Sequence, residues 1–507
     1  MSLQRSESTA AQNAGHDAGH DAEQARQATA PEALARLAAA TPWLILGYIA
    51  ALTALRLSLS PFLEIDEAQF VGHVDWRLVY ENSHPPLYNW GLRLLLEATG
   101  WSWPVSTALM KYGLLGAFYF LTWDAARRLG GASAGLLAVA AAAFLPQIVW
   151  MSAHTLAHSI MVLTGAAAMI HAAVVVWRAP SPLAFVWLGL ACVLGALAKF
   201  NFFLFAIPLL IALAIDPETR ARFFERRALL SLGIFALATA PIFAAAAREL
   251  GASTERMDKL YSGGGDYAWL DLPGIGLDGL VSLAVAGLAW AGPLALIWAL
   301  AQGLERRLPE ASAAPTAPEP FVRALGWAMA LGMAAFALVV LAGDMHRVHE
   351  RYLTPILAGL PIWVALALPL ARLRPWVIGL AGAAFAAALI GVFAMVQTQK
   401  HRYAIPYADL ATEIARAGAP EAPILGRRHS DVANLTLALG WRGSSSPRYA
   451  PVESLVLAVW RGDRAKAPKE LPLDGFTPVG PPTVVRAPYR NWREDAFALS
   501  FQTFARP

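Results

Sequence analysis

The strongest constraint on this chain is a succession of apolar runs, each close to the length of a bilayer-spanning helix. A bilayer core about 30 Å thick needs roughly 20 apolar residues in a helix. Such runs lie at 42–60, 105–125, 132–150, 155–177, 182–198, 200–215, 228–247, 276–302, 321–342, 352–371 and 375–396. They predict an all-α polytopic membrane protein with about eleven transmembrane helices. Composition supports this: 57% of residues are hydrophobic and 15% charged, whereas soluble domains carry about 25% charged residues. With a single cysteine, Cys192, no disulfide can form within the chain.

The regions outside the runs divide the chain into three parts. Residues 1–40 are polar, rich in Ala, Gln, Glu and Ser, and contain the repeat AGHDAGHDA. They read as a disordered cytoplasmic tail, and the His-Asp repeat as solvated low complexity rather than a metal site. Residues 41–396 form the transmembrane domain, with 61–104 as a long first outside loop carrying interfacial helices. Residues 397–507 are polar and Pro-rich with strand-like runs (SLVLAVW, TPVGPPTVVRA), which predict a small α/β domain.

Arginine placement orients the set. With the N-terminus inside, the inside loops hold Arg127 and Arg128, Arg178, Arg220 to Arg227, Arg306, Arg307 and Arg323, and Arg372 and Arg374. The other side carries Glu64, Asp66, Glu67, Asp75, Glu81, Asp258, Asp266 and Asp344 among a few bases. This is the positive-inside pattern. The segments 61–104, 248–275 and 397–507 then lie outside.

Several constellations at the outer span ends carry chemical potential. Glu64-Ile65-Asp66-Glu67 follows the first span; clustered carboxylates at a membrane boundary can serve as a general base or hold a cation, or simply start a solvated loop. Ser83-His84-Pro85-Pro86-Leu87-Tyr88-Asn89-Trp90 reads as the start of a helix along the membrane surface. Anchoring explains the tryptophans but not His84. Lys199, at an outside span end, either snorkels or holds an anionic head group; Lys111 reads the same way. The loop Asp344-Met345-His346-Arg347-Val348-His349-Glu350-Arg351-Tyr352 concentrates bases beside the bilayer, and arginine suits phosphate through paired N–H groups. His154 and His158 share a helix face, but no third ligand is evident, so pocket polarity is preferred to metal binding.

The order of these motifs resembles the bacterial glycosyltransferase family 39 type, the group related to dolichyl-phosphate-mannose protein mannosyltransferases and to the lipid A aminoarabinose transferase. The resemblance covers roughly 42–440, and DEAQFVGHVDWRLVYENSHPPLYNW is its most specific block. It implies a glycosyltransferase C fold in a bacterial inner membrane, with the active site facing the periplasm. It also implies a polyprenyl-phosphate-linked sugar as donor, an inverting displacement, and a lipid A, lipopolysaccharide-core, polysaccharide or protein acceptor. Asp66 matches the catalytic acidic position, with Glu67 beside it. His84, Lys199, His349, Arg351, Arg347 and Lys111 are the candidates for the donor phosphate. Tyr88, His154, His158 and Tyr352 are the candidates for the acceptor and sugar pocket. No resident metal or nucleic acid is implied, although the acidic pair could take a divalent cation. The chain departs from the aminoarabinose transferase pattern with Gln69, where that enzyme has a basic residue, and with His84, where it has a lysine. The early fourth span also lacks the aspartate that many members carry there.

Two other classes compete. A polysaccharide ligase or polymerase is also polytopic but needs no acidic motif after the first span. A lipid-linked sugar transporter or flippase would show inverted repeats and mid-span polar groups, whereas here the charges gather at span ends on one side. A purely structural membrane protein is the plainest alternative.

Overall fold

The computed structural model describes the chain apart from residues 1–3, 72–75, 81–84, 249–276, 309–317, 344, 442, 445–453, 465, 470, 472, 493–494 and 507. Asp75, His84, Asp344 and the loop 249–276 thus lie outside the described residues, and so do the side chains before Glu32.

The membrane part is helical. Helix α1 (Gln4–Leu59) carries the first apolar run in its C-terminal half. Then follow α2 (Ile65–Ala68), α3 (Leu87–Thr99), α4 (Trp103–Gly130) and α5 (Ala132–Ala142). A π-turn at Gln147–Met151 leads into α6 (Ser152–His154), and α7 (His158–Arg178), α8 (Pro182–Ala198), α9 (Phe203–Ile215) and α10 (Pro217–Phe223) come next. The set ends with α11 (Ala228–Arg248), α12 (Leu277–Glu305), α13 (Pro320–Ala342), α14 (Leu360–Ala367) and α15 (Arg374–Thr398).

Among the described residues six helices are long and apolar enough to cross a membrane, or eight if two bent pairs each make one crossing. Eleven were expected, and the difference has local causes. The run 132–150 breaks by 77° after α5, where Pro146 precedes the π-turn, and the 200–223 stretch bends by 115° into α10. The second bend is built by Asp216, whose carboxylate accepts from the Glu218 N–H (2.9 Å), and by Pro217 in the first helical position. The run 352–371 is helical only over the eight residues of α14, after a chain of turns. Helix α8 has 17 residues. Helix α4 has 28, but Lys111 and its hydroxyl and aromatic neighbours lower its hydropathy.

Helix α7 is the axis of the bundle: 89% of its apolar window is buried, against 39% or less for the other five crossing helices. It lies so close to α8 that a Cβ on Gly165 would come within 2.6 Å of the Gly195 Cα. Small residues allow such contact where apolar burial alone gives helices no reason to associate.

Beyond α15 the chain forms a separate α/β unit. Helices α16 (Tyr407–Arg416) and α17 (His429–Leu439) pack with a five-stranded sheet of order β2-β1-β3-β5-β4. The strands are β1 (Ile424–Gly426), β2 (Gly443–Ser444), β3 (Leu455–Arg461), β4 (Thr477–Pro488) and β5 (Ala496–Ala505). Strand β1 runs parallel to β2 and β3, whereas β5 is antiparallel to β3 and β4. Leu410, Ile414, Ile424, Leu435, Leu457 and Leu499 fill its core. Buried Asp431 ties the unit together: it accepts from the Tyr407 hydroxyl (2.7 Å) and from both arms of Arg461 (2.7 and 2.6 Å).

Candidate active site

The acidic sequence after the first span forms α2, a single turn capped by its own side chains. The Glu64 carboxylate accepts from the Asp66 N–H (2.9 Å), and Glu67 reaches back to accept from the Glu64 N–H (3.1 Å). This is a capping box. It turns the three carboxylates in different directions and gives each a different partner.

Glu67 and Arg56 form a buried two-point pair, at 3.1 Å and 2.5 Å, with side chains 2% and 1% exposed. Burial alone would raise the Glu67 carboxyl, but the Arg56 guanidinium beside it holds it below the usual carboxylate range. Arg56 also donates to the Ser60 and Phe62 carbonyls and lies 4.7 Å over the Tyr403 ring. Glu64 pairs with Arg402 at 2.5 Å. Asp66 is half-buried, and among the described residues its carboxylate accepts one long hydrogen bond, from the Thr155 hydroxyl at 3.5 Å. Of the three acids, Asp66 is therefore the one that no arginine among the described residues holds.

Lys111 belongs to this group as well. It is 1% exposed, and its ammonium, with no hydrogen-bond partner among the described residues, lies within electrostatic reach of Glu67 and Glu64. Two of the three carboxylates thus each pair with an arginine, Glu67 with Arg56 and Glu64 with Arg402.

The segment between α6 and α7 closes the other wall. Tyr112 donates to the Ala153 carbonyl (2.7 Å), and Tyr403 donates to that of His154 (3.3 Å). The His154 ring sits 2.9 Å from the Trp150 carbonyl. Leu156 adopts a left-handed φ of 62°, rare for a branched residue. This sharp turn starts α7 at His158, whose ring packs 5.0 Å from Tyr88 and 4.9 Å from Phe70. Tyr88 stacks on Phe70 at 4.6 Å and is fully buried, so it forms a wall.

One residue further, Ser159 meets the second predicted cluster. The Lys199 ammonium donates to the Ser159 hydroxyl (3.3 Å) and lies 5.7 Å from the Tyr352 ring. Asn201 fixes Tyr352 by donating to its carbonyl (3.1 Å). His349 packs 5.8 Å from the same ring, and the exposed Arg351 guanidinium lies 5.8 Å over it. The loop is seated at Gly279, where a Cβ would come within 1.9 Å of the Met345 carbonyl oxygen, and by His346, 2.9 Å from buried Asp278. Arg347 is exposed on this loop.

The predicted residues therefore form two groups joined by the start of α7. Glu64, Asp66, Glu67, Lys111 and His154 stand on one side, and Lys199, His349, Arg351 and Tyr352 on the other. Sequence reasoning placed Lys111 with the phosphate ligands, whereas here it lies buried beside the acids. It missed Arg56, hidden inside an apolar run, and Arg402, 338 residues from Glu64. Among the described residues no group of three His, Cys, Asp or Glu is placed to hold a metal ion.

Comparison with known proteins supplies the frame for this geometry. Residues 83–244 match the family described as dolichyl-phosphate-mannose-protein mannosyltransferase. The lipopolysaccharide core galacturonosyltransferase RgtA of Rhizobium johnstonii is 26% identical over 458 residues, covering 83% of this chain and 86% of the relative. RgtB of the same organism, which has the same description, is 26% identical over 395 residues, covering 75% and 78%. Among solved structures, ArnT from Cupriavidus metallidurans bound to undecaprenyl phosphate superposes with a TM-score of 0.56 at 16% identity, covering 91% of this chain and 98% of that one. Its apo state gives 0.53 at 15% identity, covering 83% and 93%. Motif order, matched region, relatives and fold agree: the chain is a multi-pass membrane glycosyltransferase with an ArnT-like glycosyltransferase C fold, similar to the family 39 type.

Proposed function

We propose that the chain transfers a sugar from a polyprenyl-phosphate donor to an acceptor hydroxyl on the periplasmic side of a bacterial inner membrane, with inversion at the anomeric carbon. The observation that carries this reading is the contrast among the three acids of α2. Glu64 and Glu67 are neutralised by arginines, and Asp66 is left half-buried beside Thr155 with no ion pair among the described residues. A carboxylate so placed has a lone pair open to an acceptor hydroxyl, as a general base needs. The acceptor O–H proton passes to Asp66 as the acceptor oxygen bonds to the anomeric carbon. The bond from that carbon to the phosphate oxygen breaks, and polyprenyl phosphate leaves with the electron pair. Lys199, with Arg351, His349 and Tyr352 around it, is suited to the phosphate, where a cation lowers the cost of the developing charge. His84 is proposed as a further phosphate ligand from its motif alone. The relatives' name favours an acceptor of the lipopolysaccharide-core class and a galacturonosyl group as the first donor to try. In the same reading the polar stretch 1–40 is a cytoplasmic tail, and 397–507 lies in the periplasm.

The test is to purify the chain in detergent and incubate it with a panel of radiolabelled polyprenyl-phosphate sugars, beside Asp66→Ala. Sugar release by the unaltered protein alone supports the reading and identifies the donor. Lipid binding without release from any donor would move the assignment to a ligase or a transporter. Equal turnover by Asp66→Ala would remove Asp66 as the base.

A further inference from the structure

Among the contacts between the C-terminal part and the acidic turn, one side chain has a geometry that is hard to explain as mere packing. Asn434, in the middle of α17, is 0% exposed. Its Oδ1 accepts from the Leu63 N–H at 2.8 Å, and its Nδ2 donates to the Leu63 carbonyl at 2.9 Å. The carboxamide thus pairs with both backbone groups of one residue, as a neighbouring strand would, across 371 residues of sequence. Leu63 immediately precedes Glu64, the cap of α2, and its side chain is 2% exposed in a small cluster with Ala68 and Ala433. Fixing the residue before a cap fixes the entry angle of the turn, and Asp66 follows two residues after that cap.

Docking of the C-terminal unit does not depend on this pair. Tyr407 packs edge-on to Phe62 with ring centroids 5.4 Å apart, Arg490 donates to the Ser60 hydroxyl at 3.4 Å, and Asn491 donates to the Gln399 carbonyl at 2.8 Å. Those contacts hold the unit to the membrane part. The Asn434 pair adds register, which a docking surface does not need and a general base does.

We infer that Asn434 is a positioning residue for the acidic turn: its two-point pairing with Leu63 sets where the Asp66 carboxylate stands, so the C-terminal unit is a working part of the active site. The catalytic arm of this inference rests on the transferase reading; the structural arm does not.

The experiment uses the full chain and two readouts. The first is kcat and the donor KM for Asn434→Ala, with Asp431→Asn as the comparison. Asp431 lies in the same helix and, among the described residues, binds only inside the C-terminal unit, so its loss weakens the domain and spares the pairing. The expected result is a fall in kcat of about tenfold or more, since a misplacement near 1 Å can cost about 100-fold. The donor KM should stay within twofold, because Lys199 and Tyr352 are untouched. Asp431→Asn should keep kcat near the parent value. The second readout needs no activity. Cys192 is the sole cysteine, so Asp66→Cys in a Cys192→Ser background reports the turn through its rate of alkylation by N-ethylmaleimide. Adding Asn434→Ala should raise that rate severalfold. If Asn434→Ala does not accumulate, the nearly isosteric Asn434→Asp, which sets an acceptor against the Leu63 carbonyl, reads the same. The inference is overturned if both readouts stay within twofold of the parent, or if Asp431→Asn changes them equally. Should the unaltered protein transfer no sugar, the transferase reading alone fails and the alkylation rates still decide the pairing.

Discussion

Replacing Glu67 by Gln tests the charge arrangement of the site most sharply. Glutamine keeps the size of the side chain and an oxygen that can accept from the Glu64 N–H, so the capping box survives. What disappears is one negative charge opposite Arg56, in a pair whose side chains are 1% and 2% exposed. Arg56 would retain two carbonyls and the face of Tyr403 but no counter-ion. Breaking a buried pair on one side costs about 3–5 kcal/mol, whereas removing both charges is often neutral. Glu67→Gln should therefore destabilise by about 3–5 kcal/mol in denaturant titrations of the detergent-purified protein. Arg56→Met combined with Glu67→Leu, which removes both charges of the pair, should recover most of that loss. A single variant within about 1 kcal/mol of the parent, or a double variant no better than the single, would refute the paired-charge account.

Other outcomes follow from the same geometry. Lys199→Ala should raise the donor KM; steady-state kinetics with labelled donor checks this. Gly279→Ala should push the Met345 carbonyl away and raise the donor KM from a distance, through displacement of the loop carrying His349 and Arg351. Gly165→Val should force α7 and α8 apart and lower both yield and melting temperature. Burial first, then the nearby His154 and Arg402, depresses the His401 pKa from 6.5 to about 4. The unfolded chain thus binds the proton more readily, so His401 makes stability fall as pH drops from about 6.5 toward 4 and leaves it flat above. Melting curves of His401→Gln should show a shallower loss over that window.

Much of the site was legible because its chemistry sits at breaks in apolar runs. The Glu64–Glu67 motif, Lys199 and the 346–352 loop are polar where the surroundings are not, and the fold brings them to either side of one helix start. What escaped was of two kinds. Span counting assumes straight helices, and Pro146 and the Asp216-Pro217 corner bend two runs that hydropathy reads as plain crossings. Arg56 went unmarked, because nothing local reveals a partner 11 residues on in a separate turn. Arg402 and Asn434 were out of reach altogether, since their partners lie 338 and 371 residues away and neither has a local pattern that marks it.

The pairing of Glu64 with Arg402 also bears on how the enzyme comes into being. Domains generally fold as the ribosome delivers them, N-terminal parts first. The acidic turn is translated within the first 70 residues of the chain, whereas the arginine that neutralises its first acid comes after the last membrane crossing. Throughout synthesis and insertion, an acid destined for burial at 2% exposure therefore waits without its counter-ion. A product stopped before Arg402 would therefore carry the whole acidic turn and still lack the arginine that pairs with its first acid.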